Sequence, residues 1–210
     1  MSIIQTKEVA MRMEDIQKKV RSSWWADGIP DMVSGIGLLI IGLLTAFQNN
    51  LESAYGTIGG VAYYILFLII IFAAQSIIKW AKSRWSWPHT GYAIIKRNIT
   101  AKDVLIFLSA MVLVGITLFI QNPLLKGIAL GLFAAVIMWG IYTYSGFGRF
   151  LWYALTAFIS SVVAGLVSSS TDIMVGAMLG ATGLVMFLTG IVVFSNFRRS
   201  IHEGDIQEDN

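Results

Sequence analysis

Six long apolar stretches dominate this chain, at residues 31–47, 58–78, 103–121, 124–144, 149–167 and 172–194. None carries an ionisable side chain in its interior. Asp31, Asp103 and Asp172 open their runs, where they suit helix capping and the helix dipole, and Lys126 falls in the first turn of its run. A bilayer core of about 30 Å takes roughly 20 helical residues to cross. Lipid offers the backbone no hydrogen-bond partners, so such runs must be helical unless they close into a barrel. A barrel would alternate apolar and polar residues at period two, and these runs are continuous. Only 13% of the residues are charged and mean hydropathy is +0.72, against about 25% charged in a soluble domain. The expected fold is an all-α integral membrane protein with six transmembrane helices.

The third run tests this energetically. Its twelve Leu, Ile, Val and Phe residues contribute at most about −4 to −7 kcal/mol of insertion free energy, so it should insert alone. The first run has 17 residues, three of them glycine, and at 1.5 Å per residue spans only about 25 Å. It needs a neighbour. Asn122-Pro123 separates the third run from the fourth, and "SSSTD" the fifth from the sixth.

The basic residues set an orientation. Six crossings put fourteen of the fifteen Lys and Arg residues on one side and Lys126 alone on the other. Both termini are therefore expected in the cytoplasm, and the membrane is expected to be the cytoplasmic (inner) one. The chain divides into an arm at 1–27, a membrane domain at 28–197 with a cytoplasmic loop at 79–102, and a tail at 198–210. Within the arm, Val9, Met13, Ile16 and Val20 recur at helical spacing with Trp24 continuing the face, which predicts an amphipathic helix on the bilayer surface. Residues 1–25 contain no continuous apolar core and do not read as a secretory signal.

The loop holds "SRWSWPHTGY". Trp and Tyr favour the headgroup region because an apolar ring carries one polar group. Trp80, Trp85, Trp87 and Tyr92, with Trp24 and Trp25 before the first helix, are expected interfacial anchors. Lys82, Arg84, Lys96 and Arg97 are candidate contacts for anionic lipid or phosphate. Glycine is a separate signal. Gly127 and Gly131 form one GxxxG pair and Gly176 and Gly180 another, while Gly176, Gly183 and Gly190 recur every seven residues. These are candidate helix-packing positions, within the chain or in a homo-oligomer. Asp31, Gly35 and Gly42 repeat the spacing of Asp172, Gly176 and Gly183. They lie on the first and sixth helices, whereas a three-plus-three inverted repeat would relate the first to the fourth.

The chain has no cysteine and two histidines, which excludes thiolate metal sites and cysteine nucleophiles. There is no zinc motif and no paired intramembrane acid of the kind a membrane protease needs. No cofactor, metal or nucleic-acid partner is expected. The expected partners are the bilayer itself, anionic lipid within it, a membrane or cytoplasmic protein, or a second copy.

"WWADGIPDMVSGIGLLIIG" and "WPHTGYAIIKR" resemble a group of small prokaryotic polytopic membrane proteins of no known activity. Their pattern is a DG-containing approach to the first helix and a Pro-x-Thr-Gly-Tyr loop followed by basic residues. Asp27, Gly28, Pro88, Thr90, Gly91 and Tyr92 match it, and His89 stands where a basic residue is expected. The resemblance covers about the first 100 residues and implies a six-helix integral protein. The expected function is that of a non-enzymatic accessory or regulatory membrane subunit acting through its cytoplasmic face. The alternative is a small oligomeric permease or lipid-handling transporter without buried ionisable coupling residues.

Overall fold

The computed structural model describes residues 24–86 and 101–208, with side chains described over 24–86 and 104–200. The surface arm up to residue 23 and the loop residues Trp87, Tyr92, Lys96 and Arg97 lie outside the described residues. Among those described, every regular element is helical: α1 (Ile29–Ala46), α2 (Gln48–Tyr55), α3 (Thr57–Trp85), α4 (Ala101–Phe119), α5 (Pro123–Ser145), α6 (Arg149–Val167) and α7 (Thr171–Glu208). Five helices, α1, α3, α5, α6 and α7, are long and apolar enough to cross a membrane. The apolar part of α4, Val104–Phe119, is shorter.

Local chemistry explains most boundaries. Asn122 accepts hydrogen bonds from the Leu124 and Leu125 N–H groups at 3.0 and 3.3 Å, and Pro123 occupies the first turn, where its missing N–H costs nothing. Gly56, at φ 59° and ψ −144°, occupies a backbone region open essentially to glycine alone, and there α2 ends and α3 begins. Two helices outrun their apolar runs. α3 continues from 78 to Trp85, because Lys79-Trp-Ala-Lys-Ser-Arg-Trp85 contains no breaker. α7 continues from 194 to Glu208 and, with 38 residues, is about 57 Å long at 1.5 Å per residue. The polar α2 lies in a stretch too short and too polar to register as apolar periodicity.

The helices form a row, α3–α1–α7–α6–α5–α4, with the closest packing between α1 and α7 and between α5 and α6. α1 and α7 run antiparallel along a glycine seam of seven-residue period. Gly28 faces Gly190, Gly35 faces Gly183, and Gly42 faces Gly176 and Gly180. A Cβ built on Gly35 would stand 2.5 Å from Phe187 N, and one on Gly183 would stand 2.5 Å from Leu39 N. Only glycine allows two backbones this close, and close backbone approach is how helices associate without a hydrophobic drive between them. The equal spacing of Gly35 and Gly42 with Gly176 and Gly183 is thus the register of one contact.

α5 and α6 meet likewise. A Cβ on Gly127 would lie 2.6 Å from Ser161 O, and Ser161 Oγ donates to Gly127 O at 2.8 Å. Gly131 abuts Phe158. Leu130, Ala134, Ala157, Ala164, Met174 and Met178 fill the space among α5, α6 and α7. α3, at one end of the row, is exposed over most of its apolar length, as suits a helix turned to lipid.

Candidate functional site

One end of the bundle buries charge. The start of α1, the end of α3, the start of α6 and the later part of α7 converge there. The chain reaches α1 through a helical turn at 24–26 and through Gly28, whose φ of 72° is left-handed and whose added Cβ would lie 2.7 Å from Gly190 O. Glycine is needed there on both counts. This bend turns Asp27 and Asp31 inward, and their side chains are 1% and 0% exposed.

Each carboxylate meets a cation from another helix. Lys82 Nζ, on a residue 1% exposed, donates to Asp27 Oδ2 at 2.5 Å and lies 4.7 Å above the Trp24 ring. Asp27 Oδ1 accepts from Ile29 N at 3.2 Å, which satisfies the first N–H of α1. Arg149 Nε pairs with Asp31 Oδ2 at 2.8 Å, and a terminal nitrogen of Arg149 donates to Trp25 O. The Tyr153 hydroxyl donates to Asp31 Oδ2 at 3.3 Å and lies 2.5 Å from Thr189 Oγ1. Trp25, Phe150 and Tyr153 stack edge-to-face beneath, at 5.1 and 5.5 Å between successive rings. Among the described residues, two buried side-chain atoms have no hydrogen-bond partner, Asp31 Oδ1 and Arg149 Nε, although the latter is ion-paired with Asp31 Oδ2.

Two acids and two bases balance in charge. Buried ions are costly unless paired, and removing one partner is worse than never having had the pair. The cluster therefore ties four segments together: separating α3 from α1, or α6 from α1, would strand a carboxylate in an apolar surround. Among the described residues, no group of three His, Cys, Asp or Glu side chains could hold a metal ion.

The sequence-based assignments fare differently by residue. Lys82, a candidate for headgroup contact, is buried and committed to Asp27. Arg84 is exposed. Trp24 and Trp25 are half-buried against Lys82 and Phe150, whereas Trp80 and Trp85 remain exposed. Asp31 does lie in the first turn of α1, but its carboxylate is held by Arg149 and Tyr153 and does not cap the helix, whose first N–H is met by Asp27. Gly180 has open space where a Cβ would be, unlike Gly127, Gly131, Gly176, Gly183 and Gly190. A bundle free of buried ionisable groups is also corrected. Asp27, Asp31, Lys82 and Arg149 each fall within a turn or so of a run boundary, where charge ordinarily reaches solvent, and tertiary packing closes over them. A signal was available: Arg149 and Tyr153 share a helix face at i, i+4, and Asp27 and Asp31 stand four residues apart across Gly28.

Among the described residues, five helices are long and apolar enough to cross a membrane, which is compatible with a multi-pass membrane protein. Comparison with protein-family models, curated proteins and solved structures yields no match.

Proposed function

We propose that this protein is a non-enzymatic accessory or regulatory subunit of the cytoplasmic membrane, crossing it six times with both termini inside and acting through its cytoplasmic face. The observation that carries this is the construction of α7. It is one unbroken helix, fastened to α1 by the glycine seam and to α6 by the Tyr153–Thr189 contact, and it runs on past its apolar part to Glu208. A helix so held transmits a load on its projecting end to the packed helices. The basic residues support the orientation. Lys82, Arg84, Arg149, Arg198 and Arg199 belong to the charged end, while Lys126, which donates to Thr171 at 3.3 Å, belongs to the other.

The test is purification of the full chain with and without residues 1–23 and 198–210, which leaves Trp24, Trp25 and Asp27 in place, in mild detergent, followed by native mass measurement. A defined partner at fixed stoichiometry, lost on removing either segment, is expected. A second reading, a small oligomeric permease, draws on the buried cluster, since ionisable groups at membrane depth often mark transport paths. Solute uptake or lipid scrambling by purified protein in liposomes, with no stoichiometric partner, would replace the first reading with the second.

A further inference from the structure

The end of the bundle that buries two acids also displays cations. α3 closes with Lys79-Trp-Ala-Lys-Ser-Arg-Trp85, and α7 passes beside it. Trp85 lies 6.1 Å from Phe194 and stacks edge-to-face on Trp80 at 5.7 Å. Trp80 is 57% and Trp85 47% exposed. Lys79 and Arg84 on α3 and Arg198 and Arg199 on α7 are exposed too. Arg198 follows Phe194 by one helical turn and so shares its face. Among the described side chains, the acids at this end, Asp27 and Asp31, are sealed inside on Lys82 and Arg149. No ion pair engages Lys79, Arg84, Arg198 or Arg199 among the described side chains.

The patch continues directly into apolar surface. Ile77 is 48% and Phe72 69% exposed on the preceding turns of α3. A ligand matching all of it carries an anionic head and an apolar tail. We propose that this corner, formed by the ends of α3 and α7, binds anionic phospholipid, with Arg84, Arg198 and Arg199 on the headgroup and Trp80 and Trp85 along the glycerol and upper acyl region. Lys82 takes no part. A soluble acidic peptide would leave the apolar half unmatched, and a free phosphate would leave the tryptophans without a role.

The experiment uses the full chain, equilibrated with equimolar phosphatidylglycerol and phosphatidylcholine and read by native mass spectrometry for retained lipid. Phosphatidylglycerol should be enriched. Each basic residue near a charged leaflet corresponds to about five-fold in affinity, so R84Q/R198Q/R199Q should weaken phosphatidylglycerol retention on the order of a hundred-fold. The charge-keeping R84K/R198K/R199K should retain most of it, and K126Q, at the other end of the bundle, should change nothing. Inorganic phosphate should not compete; full displacement by phosphate alone would overturn the lipid assignment in favour of a phosphate site. Equal retention of both lipids by the unmodified chain, or an unaltered preference in the glutamine variant, also overturns it. Should the glutamine variant fail to fold, the unmodified chain decides. Raising salt toward about 1 M, where the Debye length is about 3 Å, should abolish the preference, and persistence there refutes the proposal.

Discussion

Alanine at Gly183 and alanine at Gly180 are the same chemical change three residues apart on one helix, and the seam predicts opposite outcomes. At Gly183 the new Cβ would stand 2.5 Å from Leu39 N and 2.6 Å from Gly35 O. Both are backbone atoms of α1, with no rotamer to move aside. Ordinary contact lies near 3.5 Å, so the helices must part by roughly 1 Å at the middle of the seam, loosening the Gly28–Gly190 and Gly42–Gly176 approaches on either side. Overpacking of this kind costs about 1–3 kcal/mol, and a rigid backbone neighbour puts the cost at the upper end. At Gly180 nothing lies within 4 Å of the new Cβ, and replacing a mid-helix glycine contributes about 1 kcal/mol of helix propensity. The propensity gain is common to both positions, so the two variants should differ by the overpacking cost alone, about 2–3 kcal/mol, Gly180→Ala at or above the unmodified protein and Gly183→Ala below it. Gly183→Leu should be worse again. Unfolding followed by circular dichroism, in one detergent for all variants, measures the difference. Equal midpoints for Gly183→Ala and Gly180→Ala would show that α1 and α7 do not pack through this register.

The Asp27–Lys82 pair should give a large coupling in a double-mutant cycle. Lys82→Met alone strands a buried carboxylate at a cost of about 3–5 kcal/mol, and adding Asp27→Asn should restore most of it; additive losses would mean the pair is not buried together. Tyr153→Phe removes the hydroxyl shared by Asp31 and Thr189 and should cost about 1–3 kcal/mol, read as a lowered unfolding midpoint, whereas no change would mean that Asp31 does not rely on it. Reporter fusions after Asn50 and after Ser169 should both read as external, and an internal signal at either position sinks the six-crossing threading.

The helices were legible in the sequence because lipid leaves a crossing backbone no other way to satisfy its own polar groups. Thus 124–144 and 149–167 lie within a residue of α5 and α6 at their shared turn. Helix ends were legible only where a breaker marks them, as at Asn122-Pro123. At Ile78 and Phe194 the apolar run stops but nothing stops the helix, so α3 and α7 run on. The glycine period of α7 was plain as spacing, and so was its echo in Gly35 and Gly42. That the two sets face each other could not be read, since spacing carries no partner.

The charged end divides most sharply between chain and fold. Composition and run length by themselves determined an all-helical chain with several helices long and apolar enough to cross a membrane, because those depend on transfer from water to lipid, which is summed residue by residue. Residues 27 and 31, 82, 149 and 153, and 189 come from four distant stretches of the chain, and all but Thr189, in the middle of α7, sit within about a turn of a helix end, where a polar group is unremarkable. Whether a charge there meets water, lipid or an opposite charge depends on which helix packs beside it. The left-handed turn at Gly28 and the antiparallel register of α1 on α7 draw Asp27 and Asp31 inside. The arrival of α3 and α6 supplies Lys82 and Arg149. Pairing energy depends on the distance between residues remote in sequence, so the tertiary structure alone decided which cations became interior ties and which, like Arg84 and Arg198, stayed on the surface.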